Sequence, residues 1–290
     1  MTRSHPHIRD GVSIAFYLRH SHRDITQRIE HTLHVFQHAI APASLDWYCD
    51  YEGDFHELDE EGQEVLEQEF HASRFAHVHL ADHVNGVGDY KFIYEGQWRE
   101  NPGSPDAARL SSTVTFWLPT EFLESHGPCA VRELALKLSA DLPFASVHAG
   151  LAFNAELGLL EVDEWIQRER LRHPGMDVPD ESASLHLGDR IRGVHWMNFL
   201  GPPVLTELGG VEALRERLRS PGTTVQSLSD GRAVVTLGIE PDAEDVTNSP
   251  VLPAYRELAR VLEPWMYFQG DSRPWRGTEE QRRWERRFLD

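Results

Sequence analysis

The chain has two cysteines, two lysines and no apolar run long enough to span a bilayer, and each scarcity excludes something. Cys49 and Cys129 lie far apart with no repeated spacing, which rules out a disulfide framework and a cysteine-based metal knuckle. A membrane helix needs about 20 consecutive apolar residues, and no such run occurs. Met1 to Asp10 is polar and lacks the apolar segment of a secretory leader, so a cytoplasmic, reduced protein is expected. The sequence also has no G-x-S-x-G elbow, no Walker loop and no dinucleotide fingerprint, and Gly86-Val87-Gly88 alone is too short to cradle a phosphate. Neither an enzyme nor a bound cofactor is expected.

Carboxylates, by contrast, are abundant. Against 28 Lys and Arg stand 47 Asp and Glu, a net charge of −19 over 290 residues. Such a surface repels nucleic acid and anionic membranes and suits a basic partner. An acidic coat also keeps a protein dispersed, so the total charge does not by itself identify a partner. With 40% hydrophobic residues, the chain can bury a sizeable core.

Periodicity predicts an α+β fold of antiparallel-rich mixed sheets with packed helices. Val12–Leu18 (VSIAFYL) and Thr113–Leu118 (TVTFWL) read as buried strands, each followed by a helix. This allows two related halves, 12–95 and 110–290, joined by a linker over 96–109 within one compact domain that follows a flexible tail, 1–11. Asp24 is placed to cap a helix with Ile25, Ile29, Leu33, Phe36 and Ile40 on one face. Asp59 is placed to cap the next, and Pro128 to open a third whose inner face is Val131, Leu134, Ala135 and Leu138. Phe75–Leu80 and Tyr90–Tyr94 form an expected antiparallel pair. Between Ala145 and Phe153 the small alternate residues leave room for a close neighbour, expected to be a helix. Asp177 to Glu181 reads as loop. Ile191–Gly238 reads as an apolar strand, a Gly209-Gly210 helix start and a hairpin around Asp230-Gly231, all core and with no reaction centre. Thr278–Gln281 has the form of a capping box for a last helix anchored by Trp284 and Phe288. Arg282, Arg283, Arg286 and Arg287 are the one basic concentration.

Two features could carry function. The 17 histidines include His31, His34 and His38 at helical spacing, and His77 and His79 on one strand face followed by Asp82. Either set could hold a metal in a metal-dependent hydrolase, although a solvated polar face is the commoner origin of such patterns. The second feature is Asp50–Phe70, which holds ten carboxylates and no Lys or Arg. Glu60, Glu64 and Glu67 stand one turn apart on one helix face, a self-repulsion partly offset by the helix N-terminus and relieved by a cationic partner. Trp47, Tyr48, Tyr51 and Phe55 interleave with them, and aromatic anchors within a charged rim make up a binding hot spot. Trp47 is expected in the core. The candidate partner-binding residues are Tyr51, Asp54, Glu57, Asp59, Glu60, Glu61, Glu64 and Glu67.

Several stretches carry a family resemblance: Ile191–Gly238, FWLPTEFLESHGP (116–128), LPFASVHAGLAFN (142–154), HPGMDVPD (173–180), LPAYRELARVLEPW (252–265) and WERRFLD (284–290). Together they resemble the domain-of-unknown-function 3396, or type VI immunity, family, from about Val12 to the last residue. The resemblance implies a protein that binds and neutralises a toxin passed between bacteria, a nuclease encoded beside it being the expected partner. It supplies no short motif from which contact residues can be transferred.

Overall fold

β1 (Ile8–Leu18) is buried on both faces over most of its length, because it lies in the middle of a ten-stranded sheet. The structure is a computed structural model that describes residues 7–84, 87–99, 109–179, 185–247, 252–268 and 278–290. The other strands are β2 (Trp47–Cys49), β3 (Phe55–Glu57), β4 (Ala76–Ala81), β5 (Lys91–Gly96) and β6 (Ser112–Pro119), then β7 (Phe144–Ala155), β8 (Met197–Leu200), β9 (Thr223–Ser227) and β10 (Ala233–Leu237). Their spatial order is β3-β2-β4-β5-β6-β1-β7-β8-β10-β9, and every ladder is antiparallel. Several mixed sheets were expected; among the described residues there is one sheet, and parallel pairing is confined to the bridges Ala152–Asp177 and Ile191–Met266. β1 pairs with β6 and β7, which both follow the 96–109 segment in sequence. Of that segment, 100–108 lies outside the described residues, as do 1–6 of the expected tail; strand structure begins at Ile8.

The sheet has two unlike faces. Val12, Ile14, Phe16 and Leu18 point with Phe92, Val114 and Phe116 into the main core. That core lies under α1 (His22–Ile40) and α3 (Thr120–Asp141), which pack on each other and on the central strands. Phe116 meets Phe16, Phe36 and Phe92 edge-on at centroid distances of 5.1–5.9 Å, contacts worth about 0.5–1.5 kcal/mol each beyond area burial. The opposite face carries Ser13, Thr113, Lys91, His148 and Asn154 and lines a cavity of about 270 Å³.

Local signals place the element ends. α1 begins two residues before the expected cap: Ser21 is the N-cap, and Asp24 sits in the first turn, where its charge still favours the helix. Gly127, with φ of 79°, splits α3, and Pro128 opens its longer second part as expected. Val131, Leu134, Ala135 and Leu138 are all buried. Thr278 accepts a bond from Gln281 N–H to cap the helix Glu279–Glu285, and Trp284 and Phe288 are buried. Asp230 and Gly231 both adopt positive φ between β9 and β10.

Three expectations need correction. The small residues of β7 receive extended backbone: a Cβ on Gly150 would stand 3.4 Å from Trp196 N, where a helix had been expected. Val194 and Trp196 are buried but precede β8, which begins at Met197. The basic cluster disperses, since Arg286 pairs with Asp290 and Glu263 while Arg287 stacks 3.7 Å over Trp284.

Candidate functional site

The acidic segment folds as β3 followed by α2 (Glu60–Phe70), and β3 is the last strand at one edge of the sheet. Asp59 caps α2 by accepting from Gly62 N–H at 3.0 Å. The helix is held by Phe70, stacked near Tyr94, and by Gly62, which sits where a Cβ would meet Glu57 O at 2.8 Å. With that side inward, Asp54, Glu57, Asp59, Glu60, Glu61, Glu64 and Glu67 all face solvent. None of these seven forms an ion pair with a described residue. Tyr51 is 71% exposed, and its hydroxyl donates to Glu69 at 2.8 Å, a fixed aromatic beside the charges. Trp47, expected in the core, is half-buried. The surface is therefore an acidic patch with one oriented ring, exposed to solvent and without an ion-pair partner among the described residues.

The histidine sets do not assemble. His31, His34 and His38 are exposed on α1, with His31 3.4 Å from Asp141. His77 bonds Glu95 through Nδ1, and Asp82 accepts from Asp89 N–H at 3.0 Å. Between them His79 is held neutral: burial, reinforced by Lys91, pushes its imidazole down to about 3. Among the described residues, the group close enough to share a metal is a different one, His148, Asp177 and His195.

Three segments bring that group together. His148 lies on the small face of β7. Asp177 is bound to the free edge of the same strand, donating to Leu151 O at 2.8 Å and accepting from Phe153 N–H at 2.9 Å. On its other side the same segment packs closely on the 242–243 backbone, where a Cβ on Gly175 would meet Asp242 O at 1.9 Å. His195 is clamped by Asn198, whose side chain bonds both its N–H and its carbonyl. The imidazoles stack with centroids 3.7 Å apart, and their Nε2 atoms stand 3.4 and 3.5 Å from the two carboxylate oxygens. Side-chain exposure is 2–5% throughout. Burial pushes the Asp177 carboxyl up, but Arg192 and the histidines outweigh it and hold the group well below its usual range. Burial holds both imidazoles neutral, with His195 pushed down to about 3.

A family model described as type VI immunity for VRR-NUC matches residues 28–288. The chain belongs to this type VI immunity family. No curated protein matches it significantly. Among solved structures it is similar to the Pseudomonas aeruginosa T6SS protein PA0821, at 18% identity and a TM-score of 0.74, over 90% of this chain and 74% of that one. At that identity the likeness establishes a shared fold. No described helix is long and apolar enough to cross a membrane.

In this family member, Asp177 falls in a stretch whose pattern is that of a loop, and His195 within a run whose pattern is that of a core strand. The available signal was a histidine inside each of two dense apolar runs, since a buried ionisable residue needs a partner. That signal says a partner exists but does not locate it.

Proposed function

We propose that this immunity-family protein binds a VRR-NUC-type nuclease toxin encoded beside it and silences it by covering the active site with the β3–α2 surface. The observation that carries this reading is the set of exposed carboxylates on β3 and α2 near Tyr51, none of them in an ion pair with a described residue. A nuclease must attract the phosphate backbone, so its active cleft is cationic, and a preformed acidic face competes for the same field. Because α2 is capped and anchored, the charges are arranged before contact and little ordering cost falls on binding. Long-range attraction can raise association toward about 10⁸–10⁹ M⁻¹s⁻¹ at low salt. Nuclease–immunity pairs are among the tightest complexes known. Inhibition of this kind needs no turnover and no cofactor, and it takes place in the cytoplasm, where the nuclease meets its substrate.

Co-expression tests the reading. Cells making the neighbouring toxin should survive when they also make this chain, and the two proteins should co-purify. Survival without a complex would refute occlusion. Full binding kinetics in a variant with Glu60, Glu61 and Glu64 reversed to Lys would move the interface elsewhere.

A further inference from the structure

We propose that His148, Asp177 and His195 form a structural site for one divalent transition-metal ion, zinc fitting the donor set best. Spacing is the first argument. In a tetrahedral site with bonds of about 2.0–2.1 Å, ligand atoms stand about 3.3–3.4 Å apart. Here each imidazole faces its own carboxylate oxygen at such a spacing, His148 Nε2 3.4 Å from Oδ2 and His195 Nε2 3.5 Å from Oδ1, so the two oxygens together would cap the ion. A charge-assisted hydrogen bond would draw the same atoms to about 2.7–2.9 Å. These groups are thus too far apart to satisfy each other and close enough to share an ion.

Unmet bonding capacity is the second. Asp177 Oδ2 and both ring nitrogens of His195 have no hydrogen-bond partner, although their residues are only 2–3% exposed. Native interiors rarely leave such atoms unpaired. The cluster also holds its members in ligating form, an ionised carboxylate and neutral imidazoles. The Tyr17 hydroxyl lies 3.3 Å from His148 Nδ1, the outer-shell contact that orients a ligating imidazole and frees its Nε2 lone pair.

Access and selectivity complete the case. Cavities of about 270 and 130 Å³ meet at Asp177, leaving room for water in the fourth position and a way in. Two imidazoles with one carboxylate suit zinc, whereas magnesium and calcium prefer oxygen donors. Arg192 Nε, 3.9 Å from Asp177 Oδ2, competes for the carboxylate's charge and holds affinity below that of a site without a nearby cation. The ring planes lie only 13° apart, so one imidazole must turn substantially before both in-plane lone pairs converge on one ion. Bound there, the ion would tie β7, the Asp177 segment and the His195 segment together. This inference does not depend on the nuclease partner.

The test uses the full chain purified without a histidine tag. Elemental analysis should find close to one zinc per chain. Chelator-stripped protein should gain about 5 °C or more in Tm when zinc chloride is added at about a hundredfold excess over its Kd. His195→Gln should lose both the zinc and the response, whereas a variant with His31 and His34 changed to Gln should keep both. Two outcomes overturn the site. One is wild-type protein with no stoichiometric zinc and no zinc-dependent Tm shift, which decides the matter even if His195→Gln fails to fold. The other is undiminished zinc in a folded His195→Gln variant, which would put the ion on other histidines.

Discussion

The acidic patch at β3–α2 and the buried cluster beside β7 use the same residue types and solve opposite problems. On the patch, seven carboxylates face water with no cation among the described residues, each nearly cost-free because solvent screens it. In the cluster a single carboxylate is surrounded by two imidazoles, Arg192 and the strand edge, because an uncompensated buried charge would cost several kcal/mol. Charge on the patch is therefore free to be used on a partner, whereas charge in the cluster is committed to the fold. Stability should respond to the cluster, and binding kinetics to the patch.

The sharpest way to break this contrast is Asp177→Ala, which removes the buried carboxylate that Arg192 and two imidazoles face. It should cost about 3–5 kcal/mol in denaturant unfolding, while Glu64→Ala should stay within about 0.5 kcal/mol. Equal effects would erase the distinction. The combined change of Glu60, Glu61 and Glu64 to Lys should slow toxin association by roughly 10–100-fold at low salt and flatten its salt dependence, leaving unfolding almost unchanged. Tyr51→Ala should weaken the complex by about 2 kcal/mol, mainly through faster dissociation, with little loss of stability because the ring is mostly exposed.

The acidic end has one half-buried imidazole of its own, His79, which gives a pH prediction. In the unfolded chain His79 takes up a proton near pH 6.5, but in the fold only near pH 3, because of burial and then Lys91. Between those values the unfolded state binds more protons, so stability is full above about pH 6.5 and falls as pH drops. The loss is about 1.4 kcal/mol per pH unit from this group. A His79→Gln variant should have a shallower stability–pH curve over that window, and an identical slope would remove His79 as its source. Smallest of all, Asp59→Ala should cost about 1 kcal/mol by uncapping α2, and it should also reduce toxin affinity if α2 is the docking element.

Much of this contrast could be read along the chain. The acidic run, its capping Asp59 and the helix that presents it depend on residues three and four apart, so their exposure followed from the pattern. The same holds for Pro128 at the start of the longer part of α3, the Thr278 cap and the positive φ of Asp230 and Gly231. The start of α1 departs from the expected Asp24 cap: the chain enters the helix at Ser21. The histidine sets read more readily as polar faces than as ligand sets, since i, i+2 and i, i+4 spacing guarantees a shared face but not a shared point. His77 is occupied by Glu95, and His31 faces water.

By itself the sequence determined the α+β class, the starts of several helices, the acidic surface and the family. These rest on periodicity, turn chemistry and composition, which act over a few residues or over the whole chain at once. Only the tertiary structure decided that β1 lies between β6 and β7, that the described strands join in one sheet, and that Asp177 meets His148 and His195. The reason is physical: a buried polar group is tolerated only beside partners that complete it, and those partners arrive from segments whose order in space no local pattern encodes.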